Sequence, residues 1–325
     1  MAHEIDMSNN RANMAYINQT PWHGLGSELE QDQPIDVWLK AAGLDWTAKT
    51  APAQFQAEVE SGEEGLLEVP NRQVVYRGDT GNALGIVSDR YKLVQPNEVL
   101  EFFRAFVEAG DLQLETAGSL AGGRRIWAMA NLGKNFRLFG QDEVQGYLLL
   151  ATAMDGSMAT QAKFTSVRVV CQNTLSMADR DNVQPHVSIP HSTRFDAEAV
   201  QAQLGLIDGA WDQFREAAEL LSQRHVMEEE ALDWLLQTFG SDPTAPLEEQ
   251  ENPRVLKSVY DCVINGPGAD LRSAKNTAWG LVNGATYYID HVKGRDRAKR
   301  LDSAWLGQGD LIKRRALGNA LKLAA

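Results

Sequence analysis

Residues Tyr147–Met177 read YLLLATAMDGSMATQAKFTSVRVVCQNTLSM, and the folding of this stretch decides the architecture of the 325-residue chain. Tyr147–Ala153 is an apolar run of strand length. Asp155-Gly156 is a tight-turn signal, because both central positions of a type I′ turn take positive φ. Met158–Phe164 then returns as a second strand, giving a hairpin. Beyond Phe164 the period changes. Val167, Val170, Cys171, Thr174, Leu175 and Ala178 recur at three- and four-residue spacing, which predicts one face of a helix with Thr165 or Ser166 as its N-cap. Arg168, Gln172 and Asn173 fall outside that stripe and are the polar groups such a helix presents from a rigid element. Trp127, Phe164, Val170, Cys171 and Leu175 are the predicted core.

Working outward, residues 55–60, 73–77 and 84–88 alternate as strands, and Asn97–Ala109 reads as a helix stopped by Gly110. Residues 112–120 and 124–132 form a second predicted hairpin around Gly122-Gly123. Its return strand is apolar on both faces toward its far end, so it is expected to be central. Residues 1–20 read as a polar arm, followed by a loop over Thr20–Gly26 that packs Trp22 and by a short helix over 34–42. After a linker at 181–190 with two prolines the chain turns helical. The predicted helices cover 196–224, 228–239, 254–264, 273–292, 297–305 and 310–323. The fold class is α+β: a mostly antiparallel sheet with hairpins and a packed long helix, followed by a helical C-terminal part. The division expected is an N-terminal arm over 1–50, an α+β core over 51–190 and a helical region over 191–325.

No apolar run reaches the roughly 18 residues a membrane span requires. The N-terminus lacks an apolar signal-peptide core. Cys171 and Cys262 lie far apart inside apolar patterns and read as buried thiols of a reducing compartment, which places the protein in the cytoplasm. Net charge is −13, unevenly spread. From Ala269 onward eleven Lys/Arg face five Asp/Glu, a balance of +6 that leaves −19 on residues 1–268. Such asymmetry fits either an anionic partner for the C-terminal part or a basic surface that docks internally.

Phosphate-loop, dinucleotide-binding and nucleophile-elbow motifs are all missing. No zinc spacing occurs, and His186 and His191 stand five apart in a proline-flanked linker. The carboxylates are scattered rather than clustered for two-metal chemistry. Accordingly no catalytic residue, metal ligand or cofactor is assigned, and the motif content points away from an enzyme. The candidates for contacting nucleic acid are Arg124 and Arg125 beside a glycine turn, Lys163, Arg168, Gln172, Asn173, and, in the basic C-terminal part, Arg272 and Lys275.

Several short stretches carry a resemblance: Pro21–Gly26 (PWHGLG), Thr116–Leu120 (TAGSL), the Gly-Gly-Arg-Arg-Ile-Trp run from Gly122, Val167–Leu175 (VRVVCQNTL), Asn276–Gly280 (NTAWG) and Tyr288–His291 (YIDH). Together, and in this order over nearly the whole chain, they resemble the phage/plasmid-like proteins, a domain of unknown function (DUF932). Asn283-Gly284 stands where Asn-Ala is commoner in that family. The resemblance implies a prokaryotic mobile element and supplies no catalytic residues. Antiparallel strands followed by a long helix, with basic residues at the junction, are also similar in architecture to the ring-forming single-strand annealing proteins of phage recombination, an analogy of fold alone. The expectation is a non-catalytic DNA-binding protein that holds single-stranded DNA for annealing or protection, as a homo-oligomer and without membrane contact. A protein-interaction or counter-defence factor that does not bind nucleic acid is the alternative, and a hydrolase using His23 or His291 is a third reading.

Overall fold

The computed structural model describes residues 5–18, 24–58, 64–168, 170, 173–176, 186–205, 209–294 and 300–325. In chain order the elements are β1 (Met14–Tyr16), β2 (Ser27–Glu28), α1 (Ile35–Ala41), β3 (Ala48–Glu58), β4 (Glu64–Arg77), β5 (Ala83–Ser88), α2 (Pro96–Ala109), β6 (Gln113–Leu120), β7 (Arg125–Leu138), β8 (Asp142–Ala153), β9 (Thr160–Arg168), β10 (Asn173–Ser176) and β11 (His186–Ile189). The helices α3 (Ala197–Gly205), α4 (Ala210–Gln223), α5 (Glu228–Phe239), α6 (Pro253–Asn265), α7 (Ala278–Tyr287), α8 (Arg300–Leu306) and α9 (Gln308–Ala324) follow. A π turn at Tyr288–Val292 extends α7. The architecture is α+β with a helical C-terminal part. One sheet runs β10-β9-β8-β7-β6-β1-β2 with β11 also on β9, and a second runs β3-β4-β5. β7 is an inner strand, as its two apolar faces predict. Among the described residues no helix is long and apolar enough to cross a membrane.

The helix predicted after Phe164 does not form. β9 continues to Arg168, and β10 returns against it with Thr174 opposite Val167 and Asn173 opposite Arg168. Three of the six residues that carry the spacing there, Val167, Val170 and Thr174, are β-branched and fit a pleated surface better than a helix. Val170, expected in the core, is 45% exposed. Trp127 is buried, and Phe164 is half-buried against the core. Cys171 and Gln172 lie outside the described residues, as do the side chain of Leu175 and the Trp22 and His23 of the N-terminal loop.

Asp155-Gly156 is not a two-residue hairpin turn. Six residues separate β8 from β9, and of the pair only Gly156 has positive φ, at +75°. Asp155 instead accepts bonds from Ser157 and Arg125. A tight connection occurs between β7 and β8: Phe139 and Gly140 both take positive φ, +48° and +77°, and Gln141 N–H bonds Leu138 O at 3.2 Å. The long helix predicted over 196–224 is two helices, α3 ending at Gly205 and α4 starting after Gly209.

The chain divides into two compact units. Residues 1–130, 149–162 and 186–204 form the first, and residues 131–148, 163–185 and 205–325 the second. In the first, the predicted polar arm is a strand: Met14, Ala15 and Tyr16 are buried opposite Gly118, Ala117 and Thr116 of β6. A buried ion pair fixes it. Asp6 lies 2.5 Å from Arg77, which also bonds Asp79 at 2.8 Å and stacks 4.3 Å from the ring of Trp46. Asn13 Nδ2 and Ser119 Oγ donate to the same Asp6 carboxylate at 2.7 and 3.2 Å. Burial alone would raise the Asp6 carboxyl. The bonds from Ser8 and Asn13 and the Arg77 charge outweigh it and hold the group below the usual carboxylate range.

The core of the second unit gathers Trp211, Phe214, Trp234, Trp279 and Tyr288. Here α6 and α7 cross at close range. A Cβ on Gly284 would sit 2.5 Å from the Cα of Val263, so an alanine does not fit this crossing without a shift of backbone. Gly284→Ala is expected to cost about 1–3 kcal/mol by overpacking. A urea midpoint equal to wild type would contradict that.

Candidate nucleic-acid interface

Phe139 marks the site. It occupies the first central position of the β7–β8 turn, where the left-handed backbone suits Asn, Asp or Gly and is unfavourable for a bulky side chain. The turn compels it, because β7 ends on buried Leu138 and β8 begins on buried Asp142. The ring is left 43% exposed. The guanidinium of Arg272 lies 4.6 Å from its centroid. Strained residues of this kind concentrate at functional sites.

Asp142 holds the facing segment in place. Its carboxylate accepts Ser273 Oγ at 2.6 Å and Trp279 Nε1 at 3.1 Å. Ser273 stands between Arg272 and Lys275, and Trp279 lies in the first turn of α7. Thr277 closes the turn that carries Arg272 and Lys275 and caps α7, accepting Gly280 N–H at 3.2 Å and donating to Ser273 O at 2.7 Å. Arg272 and Lys275 are both exposed on this anchored segment. Exposed aromatic rings beside cationic side chains are the elements from which sequence-tolerant single-strand sites are built.

The other candidates are placed differently. Arg124 is exposed at the start of β7. Arg125 is half-buried and paired with Asp155 at 2.7 Å. Both belong to the first compact unit. Arg168 and Asn173 are backbone partners across β9 and β10. Lys163 turns inward: its side chain is 3% exposed, its ammonium is 3.2 Å from Asp310 and it donates to Trp305 O at 2.5 Å. In this position it offers no charge to a phosphate. His191 is buried, with Nδ1 2.8 Å from Lys92 O and its ring stacked on Tyr91. His291 lies beside Tyr287 with ring centroids 4.8 Å apart. Among the described residues no group of three His, Cys, Asp or Glu is placed to hold a metal ion.

A second buried ion pair lies beside Lys163. Lys313 bonds Asp290 at 2.9 Å and donates to Thr174 O at 2.5 Å, while Asp290 accepts Thr174 N–H at 2.8 Å. The pair therefore satisfies the outward backbone groups of β10 as another strand would. Asp310 is shared with Arg314 at 2.8 Å. Arg300 closes the end of the π turn by donating to His291 O at 2.6 Å and Lys293 O at 3.0 Å. Phe139 was missed by sequence reasoning. The signal for it was a Phe-Gly dipeptide between two alternating runs, with the wrong residue for the turn that its position demands.

Burial is the main cause that pushes the Lys163 ammonium down to about 8; Asp310 opposes the shift, and the neighbouring Arg314 and Lys313 add to it. Lysine in an unfolded chain titrates near 10.4, so between the two values the unfolded state binds more protons and stability rises with pH. Lys163→Met should abolish that rise. From pH 8 to 10 the difference in unfolding free energy should move toward wild type by roughly 2 kcal/mol. A pH-independent difference in urea titrations would refute the assignment.

No curated protein and no solved structure matches the chain. A family model described as Domain of unknown function (DUF932) matches residues 83–305, a span that contains α2, Phe139, the Arg272 segment and one partner of each buried ion pair of the second unit, Lys163 and Asp290. The chain belongs to the DUF932 family.

Proposed function

We propose that this is a non-catalytic protein of a phage or plasmid that binds single-stranded DNA and holds it for annealing or protection. The exposed ring of Phe139, kept in an unfavourable backbone conformation under Arg272, is the observation that carries the reading. Stacking on an aromatic face is tolerant of sequence, and a neighbouring cation adds the salt-dependent part of the affinity. Lys275 supplies a further phosphate contact, and Arg124 is a separate exposed cation of the first unit. The acidic total charge is compatible with this because the basic residues are concentrated after residue 268.

A second reading, a protein-interaction or counter-defence factor, is favoured by the inward turn of Lys163 and the pairing of Arg125 with Asp155. Binding to oligonucleotides separates the two.

Wild type should bind single strands in preference to duplex, with affinity falling as salt rises. Arg272→Ala should weaken binding and flatten the log–log salt slope by about 0.7, the loss of one phosphate contact. Phe139→Asn has a two-sided signature. Asparagine accepts the left-handed backbone, so the variant should gain roughly 1 kcal/mol of stability, while losing the stacking surface and much of its strand affinity. Mobility shifts over a salt series and urea titrations read both effects. Absence of single-strand binding by wild type at low salt would remove this reading and leave the interaction factor.

A further inference from the structure

The π turn and α9 are fastened to each other. Asp290 bonds Lys313 at 2.9 Å, and a Cβ on Gly309 would sit 2.8 Å from Cγ2 of Ile289, so glycine permits the close approach. The junction carries more positive charge than its carboxylates balance. Residues 288–294 and 300–325 hold six Lys/Arg against three Asp. Asp290 is engaged by Lys313, and Asp310 is shared by Lys163 at 3.2 Å and Arg314 at 2.8 Å. Arg300 turns to the carbonyls of His291 and Lys293. Lys293 and Arg315 are left over. Among the described residues neither side chain has a carboxylate or hydrogen-bond partner.

These two cations are near each other on the surface of the second unit. Lys293 is half-buried at the end of the π turn, and Arg315 is exposed on α9. Burial and the charge of Arg315 hold the Lys293 ammonium below the usual lysine range. Leu311 stands one turn before Arg315 on the same stripe of α9, and Lys322 two turns after it. Leu311 is 58% exposed, and Val292 beside Lys293 is 43% exposed. Both are aliphatic, so they offer no face on which a base stacks, and two such side chains are too few to anchor the chain in a membrane.

We propose that Lys293 and Arg315 form a second nucleic-acid contact, which grips backbone phosphates and leaves the bases free, so that it takes duplex as well as single strands. The inference rests on the strand-binding reading for the class of its ligand. A phosphate between the two cations removes their mutual repulsion, and the packing of the π turn on α9 holds them in place before the ligand arrives. Contacts of this kind position a strand without reading its sequence. The two sites divide the work of annealing. Phe139 holds a strand by its bases, which keeps those bases from pairing, whereas a backbone site holds a strand whose bases pair freely.

The test uses the full chain and a blunt-ended DNA duplex, which has no unpaired base to stack, followed by fluorescence anisotropy over a salt series. Wild type should bind the duplex at low salt, and Phe139→Asn should leave that binding unchanged. Lys293→Gln with Arg315→Gln should weaken it and flatten the log–log slope by about 1.8, or by about 1.4 on a single strand, the loss of two phosphate contacts. Lys49→Gln with Arg72→Gln removes the same charge from exposed positions of the first unit and should keep the wild-type slope. A urea midpoint of the site variant at or above that of wild type shows that it is folded. Absence of duplex binding by wild type, an unchanged slope in the site variant, equal flattening in the control, or a site variant that loses only binding to phosphatidylserine vesicles would each overturn the proposal. The strand-binding reading fails on a different result, a single-strand affinity that neither Phe139→Asn nor Arg272→Ala lowers, and that result leaves the duplex measurements standing.

Discussion

The contact on which the second compact unit depends is the grip of Asp290 and Lys313 on the backbone of Thr174. β10 is only four residues long and lies at the end of its sheet. An edge of that kind exposes one row of N–H and C=O groups, which either recruits another strand or has to be satisfied otherwise. Here a carboxylate accepts the N–H and an ammonium donates to the C=O, and the two side chains pair with each other. The arrangement satisfies the edge at Thr174, neutralises two buried charges and ties the β9–β10 hairpin to the π turn and to α9. Removing either partner would leave the other charged and buried, a costlier state than losing a surface pair.

This bears on how the basic C-terminal segment is used. Its excess of positive charge in the sequence is not all surface. Lys313 and Arg300 are buried, where they bind backbone carbonyls. The cations left on the outside of that segment include Arg272, Lys275, Arg315 and Lys322. They fall on two separate elements, the anchored turn before α7 and the exposed stripe of α9. One charge asymmetry therefore supports both structure and the candidate strand contact through different residues.

Much of the secondary structure was legible because it rests on local signals. Gly110 in the left-handed region and the reciprocal bonds of Gln95 and Glu98 bound α2 close to where periodicity and stop residues place it, and α5 spans Glu228–Phe239 as read. What could not be read depends on distant partners. The stretch after Phe164 has helical spacing, but β10 pairs with β9 and its Thr174 is gripped by Asp290 and Lys313, over a hundred residues downstream. The N-terminal arm looks polar until Asp6 is set against Arg77 and Met14 against Gly118. Arg272 and Lys275 were visible as cations of a basic segment, whereas Phe139 was not, because its importance comes from a backbone conformation that its residue type disfavours. Lys163 looked like a strand-end cation, and only the position of Asp310 shows why it faces inward.

The pairing of β1 with β6 also has a consequence in time. Met14 lies opposite Gly118, so about a hundred residues separate a strand from its partner. On a ribosome adding about 5–20 residues per second, β1 leaves the exit tunnel roughly 5–20 s before β6 can meet it. Throughout that interval Met14, Ala15, Tyr16 and Ile17, all buried in the finished fold, have no native surface to rest on. The nascent chain must carry this apolar segment unpaired, and the polar residues Ser8–Asn13 that precede it keep the waiting strand short and flanked by well-hydrated groups. Once β6 emerges, Asp6 finds Ser119 and Arg77 together, and β1 is locked in place only then.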